Sequence, residues 1–522
     1  MRTAYTTEQI RAAEHALMAR LPEGTLMDRA AAGLATACAR ELERAAGGVY
    51  GSRVVVLAGS GDNGGDALFA GARLAGRGAR VTAVPAGTRV HEGGLAALRA
   101  AGGRVAGGPV AGAVSGPVVG AVVGAVAGPW GGEVAALIAG ADLVLDGLVG
   151  IGGSGALREP YAGLAAVVNE ADGLVVAVDV PSGVDAGTGE VAGAAVRAGL
   201  TVTFGARKTG VLVDPGAEYA GRVELVDIGL GPYLDDPDVA MLTGWDVAAM
   251  LPRPSRESDK YRRGVVGVAA GSHQYTGAAV LAVGGALRAG AGLVRYVGFA
   301  EPLAQVRTHW PEAVTGELRE HGLGVAEVGR VQSWVVGPGV GTGTESLTVV
   351  RDVLASDVPV LVDADALTLV AREPSLLRRT APTLLTPHAG ELSRLLGVPR
   401  ERIEAARLEH VRLAAERLGV TVLLKGSTTV VAEEGRPVRV NPTGTPWLAA
   451  GGTGDVLSGI GGALLAGGLS CYDAAACAAY IHGVAGRVAA EGAPLVAGDL
   501  LTVLPETLSG ILGGRGRAGH RR

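Results

Sequence analysis

Short apolar runs recur along this chain, and most of them break at a glycine-rich turn and hand over to a helical pattern of small residues. Residues 6–46 read as helical, with Ile10, Leu17 and the stretch from Leu26 to Leu34 supplying apolar positions. The run RVVVLA at 53–58 predicts a buried strand, and GSGDNGGDALFAGARLA from Gly59 onward turns into a helix. Strands are expected again at 143–145 and 174–178, and in the stretches beginning at Thr201 and Arg222. Between Leu230 and Arg262 proline and charge come together, which marks a boundary or linker. A second series opens at Arg263 with RGVVGVAAGS, followed by a small-residue helix over 277–291 and strands starting near Trp334, Pro359, Thr383 and Thr421. Runs this apolar suit strands buried on both faces, so each series predicts a parallel α/β sheet. The expected division is 1–235, 236–514 and a basic tail at 515–522.

Composition supports two large domains, because 522 residues exceed one ordinary core. Hydrophobic residues make up 48% but aromatics only 3%, and glycines number 86, so the apolar mass is Ala, Val and Leu, suited to close helix packing. A net charge of −5 offers no general attraction for nucleic acid. Cys38, Cys471 and Cys477 form no metal-ligand pattern, and Cys471 and Cys477 are expected on or near one helix. A reduced, cytoplasmic protein is expected, since Met1 to Arg20 lacks the apolar core of a signal peptide. The uncharged stretch 105–132 has GxxxG spacing, but Pro109, Pro117 and Pro129 interrupt it. It reads as a low-complexity insert or a buried small-residue segment rather than a membrane span. The apolar surface that Gly/Ala helices leave suggests a homo-oligomer.

The candidate chemistry of the first half lies at three strand ends. Gly59, Gly61 and Gly64 satisfy GxGxxG between a strand and a helix, which makes a dinucleotide-like ligand plausible. No acidic residue lies between Asp66 and Glu92, where a dehydrogenase would place its ribose-binding carboxylate, and Asp62, Asn63 and Asp66 crowd the turn instead. Asp146 ends the second strand, before the loop Gly150 to Ala156; Asp179 ends the third, before Ser182 and Asp185. The carboxyl ends of parallel strands face one crevice, so these acids can share a site, although a turn or cap role accounts for any one of them alone. Lys208 and Thr209 suggest a phosphate loop, but Arg207 stands where that motif needs glycine, so the motif is rejected.

The ordered series GxGDNGGD, LVLDGLVGIGGSG and VDVPSGVD resembles the epimerase domain of the NAD(P)H-hydrate repair enzymes over residues 5–230. The resemblance implies a Rossmann-like three-layer domain. It further implies that Asp62, Asn63, Gly64, Gly65 and Asp66, with Gly150, Ile151, Gly152, Gly153, Ser154, Gly155 and Ala156, hold the damaged dinucleotide. By the same resemblance Asn63, Asp146 and Ser182 bind K+, and Asp179 contacts the hydrate. Proton handling then falls to Asp179, because Asp146 is committed to the cation. Asp62 stands where the family usually has asparagine.

In the second half the stretch TPWLAAGGTGDVLSGI at 445–460 brings Asp455 to the start of an apolar helix. Gly451, Gly452 and Gly454 let successive amides point at one anion, and the helix dipole favours negative charge there. Asp455 fits such a site as a proton acceptor beside a transferring phosphoryl group, and an ordinary N-cap is the alternative. Lys425, Ser427, Thr428 and Thr429 face a phosphate-sized anion after a strand, although a hairpin turn explains Gly426 equally well. His388 and Glu391 open a helix, where His388 is either a cap residue or a ligand contact. Asp363 and Asp365 read as structural or metal-proximal. No GxxxxGK[ST] occurs, so any use of ATP relies on another fold.

In order, GVVGVAAGS, GPGVG, TPHAGEL, LLKGSTT and GGTGD resemble the hydrate dehydratase domain, of ribokinase-like α/β fold, over residues 236–514. The resemblance carries Lys425, Gly426, Ser427, Thr428, Thr429 and Gly454 to ADP or ATP binding. It carries Ala278, Gly339, His388 and Asp455 to the hydrate, with Mg2+ assisting phosphoryl transfer. Ala450 departs from the threonine common before GGTGD. The expected activity is exchange of the R and S hydrates of NADH and NADPH by the first domain, then nucleotide-dependent dehydration of the S form by the second, releasing phosphate and, from ADP, AMP. Two rivals remain: a ribokinase-like sugar or vitamin kinase fused to a dinucleotide-binding domain, and a nucleotide sensor without turnover.

Overall fold

The computed structural model describes residues 1–106, 130–318 and 325–517. The expectation for the 105–132 stretch therefore lies almost wholly outside the described residues, as does most of that for the basic tail. Two compact units emerge, Thr3–Asp238 and Val239–Arg522, the latter with Met1 and Arg2. The stretch expected as a linker is not all linker, since it contributes the strand Val239–Met241 and the helix Gly244–Met250.

The strands of the first unit are β1 (Arg2–Tyr5, of which Thr3 to Tyr5 belong to this unit), β2 (Arg53–Ala58), β3 (Arg80–Pro85), β4 (Arg104–Val105), β5 (Leu143–Gly147), β6 (Leu174–Val178), β7 (Leu200–Phe204), β8 (Arg207–Lys208) and β9 (Arg222–Val226). A seven-stranded sheet runs β4-β3-β2-β5-β6-β7-β9, parallel throughout, and β1 pairs in parallel with β8. Alternation along the strands divides the core. Val54, Val56, Leu143, Leu145, Val176 and Val178 pack on one face with residues of the helices Thr7–Met18, Thr25–Ala45 and Asp62–Ala75. Val55, Leu57, Val144, Val175 and Ala177 pack on the other with Gly131–Ala139 and Tyr161–Asn169. Strand order reverses between β2 and β5, the switch point at which open α/β sheets bind ligands. The expected first helix is in fact two, separated at Pro22 to Gly24. Asp62 to Asp66 forms the first turn of a helix rather than a loop.

The second unit contains β10 (Val239–Met241), β11 (Val265–Ala269), β12 (Leu293–Gly298), β13 (Val314–Glu317), β14 (Ser333–Val336), β15 (Val360–Val362), β16 (Thr383–Leu385), β17 (Thr421–Leu424), β18 (Thr429–Ala432) and β19 (Val438–Asn441). They run β13-β12-β11-β14-β15-β16-β17-β18-β19-β10, parallel as far as β17, with β18 antiparallel to both its neighbours. Val266, Val268, Val335 and Leu361 share one core with the helices Thr276–Arg288, Thr453–Ala466 and Cys471–Ala490. Val265, Trp334, Val336 and Val362 share the other with Thr344–Leu354 and Asp365–Arg372. Cys471 and Cys477 are buried on a single helix, as expected. No described helix is long and apolar enough to cross a membrane.

The helix bearing Asp455 is held at very short range. A Cβ at Gly459 would lie 2.2 Å from the Ala282 carbonyl oxygen, and one at Gly285 would lie 2.5 Å from that of Val456, so the two helices touch backbone to backbone. Gly459→Ala is expected to cost about 1–3 kcal/mol through overpacking, read as a lower Tm. An unchanged melt would mean that the helices part freely there.

Candidate active sites

In the first unit, the fully buried Asp146 at the end of β5 accepts from Ser182 Oγ at 2.6 Å, Ser182 N at 2.8 Å and Leu148 N at 3.3 Å. Burial raises its carboxyl to about 6 against those hydrogen bonds. Ser182 Oγ also lies 2.9 Å from Val149 N and 3.3 Å from Val149 O. Asn63 lies against the same loop, since a Cβ at Gly150 would sit 3.0 Å from its Cγ. Its Nδ2 is buried without a hydrogen-bond partner, and so is Asp66 Oδ1. Gly64 and Gly65 serve packing: a Cβ at Gly64 would meet the Gly59 carbonyl at 2.4 Å, and one at Gly65 would meet the His91 ring at 3.0 Å.

Asp179 follows β6 with φ at 68°, a left-handed conformation uncommon for any residue but glycine. Its Oδ1 accepts from Thr203 Oγ1 at 3.1 Å, from Phe204 N at 3.0 Å and from the buried ammonium of Lys208. Glu14 and Asp66 complete this group. Asp66 is held well above the usual carboxylate range by burial first and by Asp179 next; Glu14 is raised by burial, with Lys208 opposing. A cavity of about 480 Å³ in this unit is lined by Ser60, Thr88, residues 153–161 and residues 183–185, and none of Asp179, Lys208, Glu14 or Asp66 lines it. Gly153, Ser154, Gly155 and Ala156 therefore border open space, whereas the Ile151 carbonyl is tied to Arg11 at 3.2 Å and Gly152 lies beside the same guanidinium.

In the second unit, Gly452 takes the left-handed N-cap position of the helix Thr453–Ala466, and Asp455 stands in its first turn. The ordinary N-cap reading of Asp455 therefore does not hold. The Asp455 N–H donates to the Gly452 carbonyl at 3.1 Å and the Thr453 N–H to Ala450 at 3.5 Å, so these two amides are engaged within the turn. The Thr453 carbonyl is anchored by His482 Nε2 at 2.9 Å. Burial depresses His482 to about 4, which keeps it neutral. The half-buried Asp455 carboxyl is raised to about 7, by burial first and by Asp363 next, with Lys425 opposing.

Lys425 Nζ donates to Asp363 Oδ1 at 2.7 Å and lies 3.7 Å from Glu391 Oε2. Burial lowers its basicity, but the two carboxylates outweigh that and raise it. A Cβ at Gly454 would stand 3.6 Å from this ammonium, so Lys425 adjoins the helix start. The other Asp363 oxygen accepts from Ser458 Oγ at 2.6 Å, and Asp365 accepts from Gly341 N at 2.9 Å. His388 is an N-cap: its Nδ1 accepts from Gly390 N at 2.9 Å and Glu391 N at 3.3 Å. Ala278 and Gly339 meet, because a Cβ at Gly339 would lie 2.8 Å from that of Ala278. Lys425 to Thr428 form the turn of the β17–β18 hairpin, and Thr429 opens β18. The buried Arg407 donates to the Leu424, Lys425 and Thr428 carbonyls and fixes that turn.

Among these, sequence reasoning did not single out Arg407, Ser458 or His482, and it considered Lys208 only as part of a phosphate loop. A lysine set in the apolar stretch LTVTFGARKTG is the one signal that pointed to burial. Among the described residues no cluster of three or more His, Cys, Asp or Glu is arranged to hold a metal.

Comparison with known proteins agrees with both units. The NAD(P)H-hydrate dehydratase family matches residues 266–509, and the family of the YjeF-related protein N-terminus matches residues 23–210. The bifunctional NAD(P)H-hydrate repair enzyme Nnr of Mycobacterium tuberculosis (strain ATCC 25618 / H37Rv) is 48% identical over 481 residues, covering 91% of this chain and 92% of the relative. That of Mycobacterium leprae (strain TN) is 46% identical over 517 residues, covering 98% of each chain. A crystal structure of ADP/ATP-dependent NAD(P)H-hydrate dehydratase from Bacillus subtilis, co-crystallized with ATP/Mg2+, is 30% identical with a TM-score of 0.46, covering 52% of this chain and 97% of that one. The chain belongs to the bifunctional NAD(P)H-hydrate repair enzymes.

Proposed function

We propose that Thr3–Asp238 exchanges the R and S hydrates of NADH and NADPH, and that Val239–Arg522 dehydrates the S form with ADP or ATP as phosphoryl donor. The observation that carries the second step is the placement of Asp455, a half-buried carboxyl at a helix N-terminus beside a lysine. Hydroxide is a poor leaving group and phosphate a good one. Asp455 takes the proton of the C6 hydroxyl as that oxygen attacks the terminal phosphoryl group; the donor leaves as AMP or ADP. The Lys425 ammonium and the helix dipole stabilise charge on the transferring group. The ring nitrogen then expels phosphate from C6, and loss of a proton from C5 restores the C5–C6 double bond. Mg2+ bound with the nucleotide would supply charge neutralisation at its phosphates.

In the first unit Asp179 accepts the hydroxyl proton as the C6–N1 bond opens to an aldehyde, with a proton taken up at N1. The same protons travel back as N1 adds to the other face of the carbonyl. The oxygens of Asp146, Ser182 and Asn63 suit a hard monovalent cation. A fully buried carboxylate met by neutral donors alone favours a positive charge beside it. K+ held there would supply that charge and stiffen the loop after β5.

Asp455 must be ionised to act as a base, and its carboxyl is raised to about 7. The acid limb of kcat/KM for dehydration is therefore expected near pH 7, with the rate falling as pH drops below it. A profile flat from pH 5 to pH 8 would remove the base role. The test of the reading as a whole is recovery of the reduced cofactor from pure S hydrate with one phosphate released per turnover. A stable phosphorylated alcohol would indicate the kinase instead.

A further inference from the structure

Lys208 is 1% exposed, and an ammonium so far from water is costly unless anions and dipoles compensate. Its backbone is set by the pairing of Tyr5 with Lys208 between β1 and β8. Its Nζ donates to the Phe204 carbonyl at 2.9 Å and to Asp179 Oδ1. Thr203 Oγ1 and Phe204 N donate to that same oxygen. Three donors on one oxygen fix the plane of a carboxylate that already sits in a strained left-handed turn. Two further acids act with the pair, Glu14 from the helix Thr7–Met18 and Asp66 from the helix Asp62–Ala75, and Asp62 of that second helix acts on Asp66. Arg11 and His15 of the first helix also act on Glu14.

We infer that Lys208 is a positioning residue for epimer exchange: it grips Asp179 by Oδ1, fixes the plane of the carboxylate, and leaves Oδ2 to take the hydroxyl proton. This rests on the reading of Asp179 given above. Removing the ammonium takes away the charge that opposes the burial of Asp66 and Glu14, so those two carboxyls take up protons at higher pH.

The experiment is epimer exchange measured across pH in the full-length chain carrying Lys208→Met, Lys208→Gln or Lys208→Arg. Thermal melting and nucleotide-dependent recovery from pure S hydrate serve as folding controls. In the neutral variants exchange at pH 7 is expected to fall about 100-fold, and the acid limb to move up by about one unit or more. Lys208→Arg keeps the charge, so its acid limb should stay where the unmodified protein has it. A folded neutral variant with the unmodified profile overturns the inference, as does one whose loss is equal at every pH. If neither neutral variant folds, a Lys208→Arg profile displaced along the pH axis overturns it. Asp179→Asn, run in parallel, separates the two layers. Normal exchange in that variant sinks the underlying reading, whereas an inactive Asp179→Asn beside unaffected Lys208 variants sinks the Lys208 inference alone.

Discussion

Replacing Asp455 with alanine is expected to lower nucleotide-dependent recovery of reduced-nicotinamide absorbance by about 10²–10⁴-fold, the span for loss of a positioned general base. Epimer exchange should persist, because no residue proposed for it belongs to Val239–Arg522. The same side chain carries a stability signature of defined sign. Its folded carboxyl lies near 7 and its unfolded one near the ordinary value of 3.8, so between those limits the folded state binds the extra proton. Stability conferred by this group therefore declines as pH rises through that window. Asp455→Asn should then melt higher than the unmodified protein at pH 8, by on the order of 1–4 kcal/mol, while being inactive in dehydration. A variant that recovers the cofactor normally, or that is destabilised at pH 8, would take Asp455 out of this role.

Asp179→Ala is the second large effect. Exchange is expected to slow by about 10²–10⁴-fold, so incubation with nucleotide consumes the S hydrate and strands the R form. Some loss of stability accompanies it, because the Lys208 ammonium is left buried without its carboxylate. Comparing Asp179→Asn with Asp179→Ala isolates the chemical part, since the amide keeps an acceptor for Lys208. Complete consumption of both epimers at the unmodified rate would show that exchange proceeds without this carboxyl.

The strand ends were legible because parallel strands buried on both faces are plain in sequence: RVVVLA, LVLDG and LVVAV each stop at the residue where chemistry begins. Asp455 was legible because glycines on either side of a small polar turn have few other uses. The partners of these groups were not. Lys208 reaches Asp179 across 29 positions, and Lys425 reaches Asp363 across 62, spacings to which no periodicity points. Arg407 and His482 act on backbone carbonyls, and a side chain that holds a loop by its carbonyls leaves no trace in the loop's own residues. The Asp62–Asp66 motif read as a turn because its glycines and acids are turn-formers, yet helix packing claims Gly64 and Gly65. His388 shows the opposite outcome: the cap reading that its position suggested is the arrangement found, and any contact with the hydrate is made by a residue already serving the backbone.

The proposed repair needs a hydroxyl that leaves only after phosphorylation, on a substrate replenished by the first unit. Its most direct test is one incubation of the purified chain with a mixture of both hydrate epimers and ADP or ATP, following R hydrate, S hydrate, reduced cofactor and phosphate together. Both epimers should disappear, with one phosphate released for each cofactor recovered. Cofactor recovered without matching phosphate, or R hydrate persisting after the S form is spent, would contradict it.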